Sequence, residues 1–115
     1  MVKLESLKKS NQFKKALKEK KIHSDYFSIF AAKNFYKPVN KNNLLISFVM
    51  KKKIGNAVKR NKIRRKLKAI VQKLLKKRGA ISKNYTYIVF GKSNAYAEKQ
   101  SILMPAMIKC FKKIK

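Results

Sequence analysis

Arg60, Asn61, Arg64 and Arg65 are the side chains in this sequence whose types and spacing point to a definite chemistry. The chain has only four arginines, Arg60, Arg64, Arg65 and Arg78, and three of them fall within one short stretch of an otherwise lysine-rich protein. A guanidinium forks onto a phosphate through parallel donors and stacks on bases, whereas an ammonium is a hydrated point charge. Arginines kept against such a compositional drift point to a site that needs their planar geometry. Asn61 adds a donor and an acceptor suited to a base or sugar edge. Just upstream, Lys51-Lys52-Lys53 lead into Ile54-Gly55-Asn56. Gly55 permits close backbone approach there, and the start of the following helix offers free N–H groups to a phosphate.

The overall charge agrees. Thirty-two Lys and Arg face four acids, for a formal net charge of +28. Glu5, Glu19, Asp25 and Glu98 cannot neutralise that excess, so a folded chain of this kind calls for a polyanion partner. The 45% apolar content is enough for a folded core.

Hydrolytic chemistry is not legible. Two-metal phosphodiester hydrolysis needs grouped carboxylates, and the four acids are scattered. His23 is the sole histidine, which excludes a paired-histidine nuclease, and it reads as a loop residue without a special role. Cys110 is the sole cysteine and reads as a core filler suited to a reducing cytosol. Apolar runs such as Leu44 to Met50 are far short of a membrane span, and the opening Met-Val-Lys-Leu-Glu lacks a signal-peptide pattern. A cytoplasmic protein with no membrane partner is expected.

The elements that must position these residues follow from periodicity. Ser10-Asn11 can cap a first helix whose Phe13, Ala16 and Leu17 repeat at helical spacing up to about Lys20. His23-Ser24-Asp25 reads as a loop and Tyr26 to Ala32 as a strand. The stretch 34–43, with Pro38 and four Asn, reads as a long connection. Leu44 to Met50 barely alternates and reads as a strand covered on both faces. A long helix follows Gly55 to about Arg78, closed by Gly79. Tyr85 to Phe90 reads as a strand ended by Gly91. A last helix carries Ile102, Ala106, Cys110 and Phe111, widened by Leu103, Met107 and Ile114. Pro105 fits its first turn if Ser101 is the cap, and kinks it if the helix starts near Ala95.

On a wheel, Ile63, Leu67, Ile70, Val71 and Leu74 of the long helix form a core stripe. Arg60, Asn61, Arg64, Arg65 and Lys68 lie on one flank, and Lys59, Lys62, Lys66 and Lys73 on the other. The expected architecture is a single α/β (α+β) domain over 1–115. It is a two-layer sandwich of a small mixed sheet with helices, in the order helix, two strands with a possible third, helix, strand, helix.

The run Lys52-Lys53-Ile54-Gly55-Asn56-Ala57-Val58, continued by Arg60-Asn61 and Arg64-Arg65, closely resembles the signature of the bacterial ribonuclease P protein component. Leu7-Lys8-Lys9 with Phe13 and Leu17 resembles that family's first helix, Phe27 to Phe30 its first strand, and Tyr87-Ile88-Val89 with Lys92 its late strand. Lys68 stands where an arginine is usual, Lys51 where serine is common, Gly91 where a basic residue is usual and Asp25 where one is frequent.

The resemblance implies a left-handed βαβ crossover through the arginine-bearing helix, against the general right-handed rule. It implies the accessory protein subunit of an endoribonuclease that removes the 5′ leader from precursor tRNA. The catalytic RNA would be its partner in a 1:1 holoenzyme, and Mg²⁺ would be bound mainly by that RNA. It implies RNA contacts through Lys52, Lys53, Asn56, Arg60, Asn61, Arg64, Arg65, Lys68 and Lys92. A cleft between the first helix and the sheet would receive the leader, with Phe13, Leu17, Ser28 and Phe30 as its candidate lining. Charge alone leaves a non-catalytic basic RNA-binding protein, ribosomal or chaperone-like, as the alternative.

Overall fold

A computed structural model describes residues 4–6, 14, 17, 18, 20–33, 44–77, 81 and 85–114. Most of the expected first helix, Phe13 included, lies outside the described residues, as do the 34–43 connection, Arg78 and Gly79. The strands are β1 (Leu4–Glu5), β2 (Lys20–His23), β3 (Phe27–Lys33), β4 (Leu44–Val49) and β5 (Tyr85–Gly91). Two helices follow the sequence pattern, α1 (Ala57–Leu75) and α2 (Gln100–Ile114).

The sheet order is β1-β4-β5-β3-β2. The central β5 runs parallel to β4, with Ile46 opposite Tyr87 and Val49 opposite Phe90. It runs antiparallel to β3, from Phe27 opposite Gly91 to Lys33 opposite Tyr85. β2 closes one edge antiparallel to β3. The two residues of β1 pair parallel to β4 on the other edge. α1 is therefore the crossover between the parallel neighbours β4 and β5.

Strand alternation divides the side chains between two faces. Phe27, Ile29, Ala31, Ile46, Tyr87 and Val89 point to the helices. There they form one core with Ile63, Leu67, Ile70, Val71 and Leu74 of α1 and Leu103, Met107, Cys110, Phe111 and Ile114 of α2. The Tyr87 and Phe111 rings meet edge to face, with centroids 5.1 Å apart. On the opposite face Ala32 and Ile88 are buried, with Phe30, Val49 and Phe90 packed beside them. Both layers are thus in place, and the expected core stripe of α1 is the observed one.

Some expectations change. Lys20–His23 is a strand, not a helix tail running into a loop. Ile22 is its one apolar residue, so it shows no alternation, and pairing with β3 supplies what its sequence does not signal. α1 ends at Leu75, where Lys76 and Lys77 donate to the carbonyls of Lys73 and Leu74 in a tightened last turn. In α2 the buried stripe starts at Leu103, while Ile102 is 45% exposed. One residue turns the wheel by about 100°, enough to move Ile102 out of the contact. α2 also begins one residue before Ser101, which places Pro105 at its sixth residue. Both Ser101 and Pro105 are exposed.

Two glycines fix the entry to the site. Gly55 has φ +153°, a conformation that L side chains rarely adopt. Gly91 lies where a Cβ would collide with Met50 Sδ and come within 2.9 Å of Ile63 Cγ2, so its missing side chain lets α1 pack against the end of β5.

Candidate nucleic-acid interface

The face of the sheet away from the helices carries a cleft of about 450 Å³. Its floor is aromatic. Phe30 of β3 and Phe90 of β5 meet edge to face with centroids 5.3 Å apart. Lys21 Nζ stands 5.1 Å from the Phe30 centroid and Lys51 Nζ 5.6 Å from that of Phe90. Ser28, His23, Lys53, Ile54, Gly91, Lys92 and Ser93 complete the lining. Register explains the gathering: Ser28 pairs with His23 across β2–β3 and with Phe90 across β3–β5. Lys92 also donates through Nζ to the carbonyl of Ser24 at 2.7 Å, which pins the exit of β5 to the β2–β3 turn.

Beside the cleft lies a second groove of about 260 Å³, where Arg64 and Lys68 face Leu4, Ser6 and the β4 residues Ile46 to Val49. Val49 is registered against Phe90, so cleft and groove are neighbours on one sheet. α1 presents the arginines. Asn56 caps it in extended conformation, its Oδ1 accepting from the Lys59 N–H at 2.9 Å. Asn61 Oδ1 accepts from Arg64 Nη1 at 2.9 Å, which holds that guanidinium along the helix. Arg65 and Lys68 are exposed. Arg60 Nε is buried and has no hydrogen-bond partner among the described residues.

The other flank of α1 is spent on the fold. Lys66 Nζ donates to the carbonyls of Tyr96 and Glu98, the latter at 2.9 Å, and reaches that of Ala95 at 3.5 Å. Desolvation and the neighbouring Lys62 lower its pKa, while Glu98 opposes the shift. Lys59 donates to Ser93 Oγ at 3.0 Å and Lys73 to Gln100 Oε1 at 2.8 Å. Lys59 and Lys62 also stand over the Tyr96 ring, at 5.3 and 4.6 Å. The lysine flank is therefore a seam that fastens the segment ahead of α2, and the arginine flank faces outward.

Among the sequence-predicted residues, Ser28, Phe30, Lys53 and Lys92 meet in the cleft. Arg64 and Lys68 meet in the adjoining groove. Lys52 is exposed on the short 3-10 turn ahead of α1, and Asn56 caps the helix. Leu17 is 39% exposed and stands apart from the described lining, and Phe13 lies outside the described residues. Lys21, His23, Phe90 and Ser93 were not anticipated, and Lys51, expected only to lead into the turn before α1, joins them. Phe90 had a readable signal, since it shares a strand face with Ile88 at a spacing of two. His23 had none before β2 was known to be a strand.

The acids with described side chains, Asp25 and Glu98, stand apart from the arginine face and the cleft lining. Desolvation, followed by the nearby Glu98 carboxylate, raises the Tyr26 pKa. Glu98 Oε1 accepts from the Lys99 N–H at 3.1 Å. Asp25 is exposed. Among the described residues no three His, Cys, Asp or Glu come together, and no described helix is long and apolar enough to cross a membrane.

An aromatic floor ringed by ammonium groups, next to an outward arginine face, defines a small α+β nucleic-acid-binding protein. The family described as Ribonuclease P matches residues 1–115. The chain is 30% identical over 109 residues to the ribonuclease P protein component of Mycoplasma mycoides subsp. mycoides SC, covering 95% of this chain and 94% of that one. It is 28% identical to the component of Mycoplasma capricolum over the same shares. The fold is that of the RNase P protein from Thermotoga maritima (TM-score 0.75, 22% identity, 96% and 98% of the two chains). It is also similar to that of the Staphylococcus aureus RNase P protein (TM-score 0.69, 23% identity, 96% and 94%). The chain belongs to the ribonuclease P protein family.

Proposed function

We propose that this chain is the accessory subunit of a cytoplasmic ribonucleoprotein endonuclease that removes the 5′ leader from precursor tRNA, with one protein joined to one catalytic RNA. The observation that carries the reading is the juxtaposition, in a member of this family, of two basic surfaces of different character. The Phe30–Phe90 cleft suits a single strand, because base stacking on aromatic rings is worth roughly 1–3 kcal/mol per base and tolerates any sequence. The face of Arg60, Asn61, Arg64 and Arg65 suits the phosphates of a structured RNA.

The cleaving centre belongs to the RNA in this reading. Ser28 Oγ and His23 Nδ1 are in hydrogen-bond contact, but no described carboxylate bonds the imidazole to orient it as a base, and the described acids do not fit a Mg²⁺ site: Glu98 Oε1 accepts from the Lys99 N–H and Asp25 stands exposed. Mg²⁺ is then held mainly by the RNA partner. The protein contributes cations that lower the repulsion between two RNAs and a cleft that holds the leader.

Reconstitution tests this. RNA-free protein should leave precursor tRNA intact, and adding the cognate catalytic RNA at low Mg²⁺ should give 5′ cleavage that the RNA alone performs poorly. Cleavage by the RNA-free protein would overturn the division of labour. Recovery of the protein on ribosomal subunits, with no catalytic RNA bound, would favour the non-catalytic alternative.

A further inference from the structure

The cleft holds one polar pair that neither stacking nor charge explains. His23 of β2 and Ser28 of β3 are registered partners, and His23 Nδ1 shares a hydrogen bond with Ser28 Oγ at 2.7 Å. Ser28 is buried and His23 exposed, and both line the cleft. The bond fixes the imidazole plane and leaves Nε2 with no partner among the described residues. Two residues along each strand, on the same face, stand Lys21 and Phe30.

The charged groups lining the cleft are Lys21, Lys51, Lys53 and Lys92. Ammonium groups are donors only, on flexible stems, and they hold phosphates without regard to sequence. A ring nitrogen in a fixed plane is directional, and its hydrogen-bonding role is set by the bond made at the other nitrogen. A directional group beside a stacking platform is what distinguishes one base edge from another.

We propose that His23 is a specificity-determining residue of this cleft, its Nε2 hydrogen-bonded to the edge of the nucleobase held at Phe30 and Phe90, with Ser28 as its positioning partner. The proposal rests on the cleft being the site of the single-stranded leader. It departs from a purely structural role, in which the His23–Ser28 bond only fastens edge strand β2 to β3.

The two roles use different ring nitrogens, so amide substitutions separate them. Asparagine places its amide near Nδ1 and keeps a bond to Ser28, and glutamine reaches the position of Nε2. The assay measures affinity of the reconstituted holoenzyme for leaderless tRNA, for precursor tRNA, and for precursors in which each leader nucleotide in turn is made abasic. His23→Ala and His23→Asn should lower affinity for the intact precursor by roughly two- to tenfold, the worth of one hydrogen bond. Neither should lose more at the one abasic position where the wild type does. His23→Gln should recover most of the loss, Ser28→Ala should lose part of it at that same position, and leaderless tRNA should bind all variants alike.

Wild-type behaviour of His23→Asn, with no recovery in His23→Gln, would make the pair structural and overturn the proposal. Losses in His23→Ala that add independently at every abasic position would do the same. If the wild-type holoenzyme itself bound precursor and leaderless tRNA equally, the leader reading of the cleft would fail first and take the proposal with it. Should His23→Ala fold poorly by thermal melting, the Asn and Gln pair still decides.

Discussion

Replacing Lys66 by methionine keeps the aliphatic stem and deletes the ammonium that holds the carbonyls of Tyr96 and Glu98. A hydrogen bond to a charged group contributes about 1.5–3 kcal/mol where it is well buried. Lys66 is only half-buried, so water can replace the ammonium at both carbonyls and the loss shrinks toward about 1–2 kcal/mol. Relief of repulsion from Lys62, which already disfavours the charged form, offsets part of that. A net loss of about 1 kcal/mol should lower Tm by roughly 4 °C in a domain of this size.

Arg65→Ala is the contrasting variant. Alanine is at least as good in a helix, and an exposed substitution away from special features stays within about 0.5 kcal/mol. Its Tm should therefore hold. RNA binding reverses the ranking. Each phosphate contact adds about 0.7–0.9 to the slope of log affinity against log salt, so Arg65→Ala should bind the catalytic RNA with a slope shallower by about one. Lys66→Met should keep the wild-type slope. Thermal melting of the free proteins and titrations across a salt series measure both. An unchanged Tm with a shallower slope in Lys66→Met, or an unchanged slope in Arg65→Ala, would refute the division of α1 into a seam and a contact face.

Phe90→Ala should weaken binding of leader-bearing precursor by roughly 5- to 100-fold through lost stacking and leave leaderless tRNA nearly unaffected; equal losses on both would remove Phe90 from the leader site. Gly91→Ala should cost about 1–3 kcal/mol of stability, because the added methyl meets Met50 and Ile63 in a packed contact; an unchanged melting midpoint would show that α1 does not need that close approach.

Periodicity made the core legible because burial obeys it. The α1 stripe from Ile63 to Leu74 and the strands at Phe27, Leu44 and Tyr85 all carry the pattern that their packing demands. The edge strands did not. β1 is two residues long, and β2 is a mostly exposed run of Lys-Lys-Ile-His that is a strand through its pairing with β3. The cleft suffered for it. Ser28 and Phe30 were within reach because they alternate along a clear strand, while Lys21 and His23 join them only through the β2–β3 register. The arginine flank was readable from the choice of Arg over Lys. The lysine flank was not, since its partners are backbone carbonyls and a tyrosine ring far along the chain.

That last point bears on how so basic a chain folds and still binds. With four acids in the sequence, carboxylates cannot satisfy its ammonium groups. The described lysines turn instead to carbonyls, as Lys66 and Lys92 do, and Lys20 with the carbonyl of Ile114. Others turn to ring faces, as Lys21, Lys51, Lys59 and Lys62 do. Such partners fix the position of a cation without cancelling its charge. A salt bridge would have stabilised the same geometry and reduced the field by one unit each time. The fold thus places these lysines without cancelling their charge, and it leaves to the arginines, which fork onto phosphates, the outward face where a polyanion must be held in register.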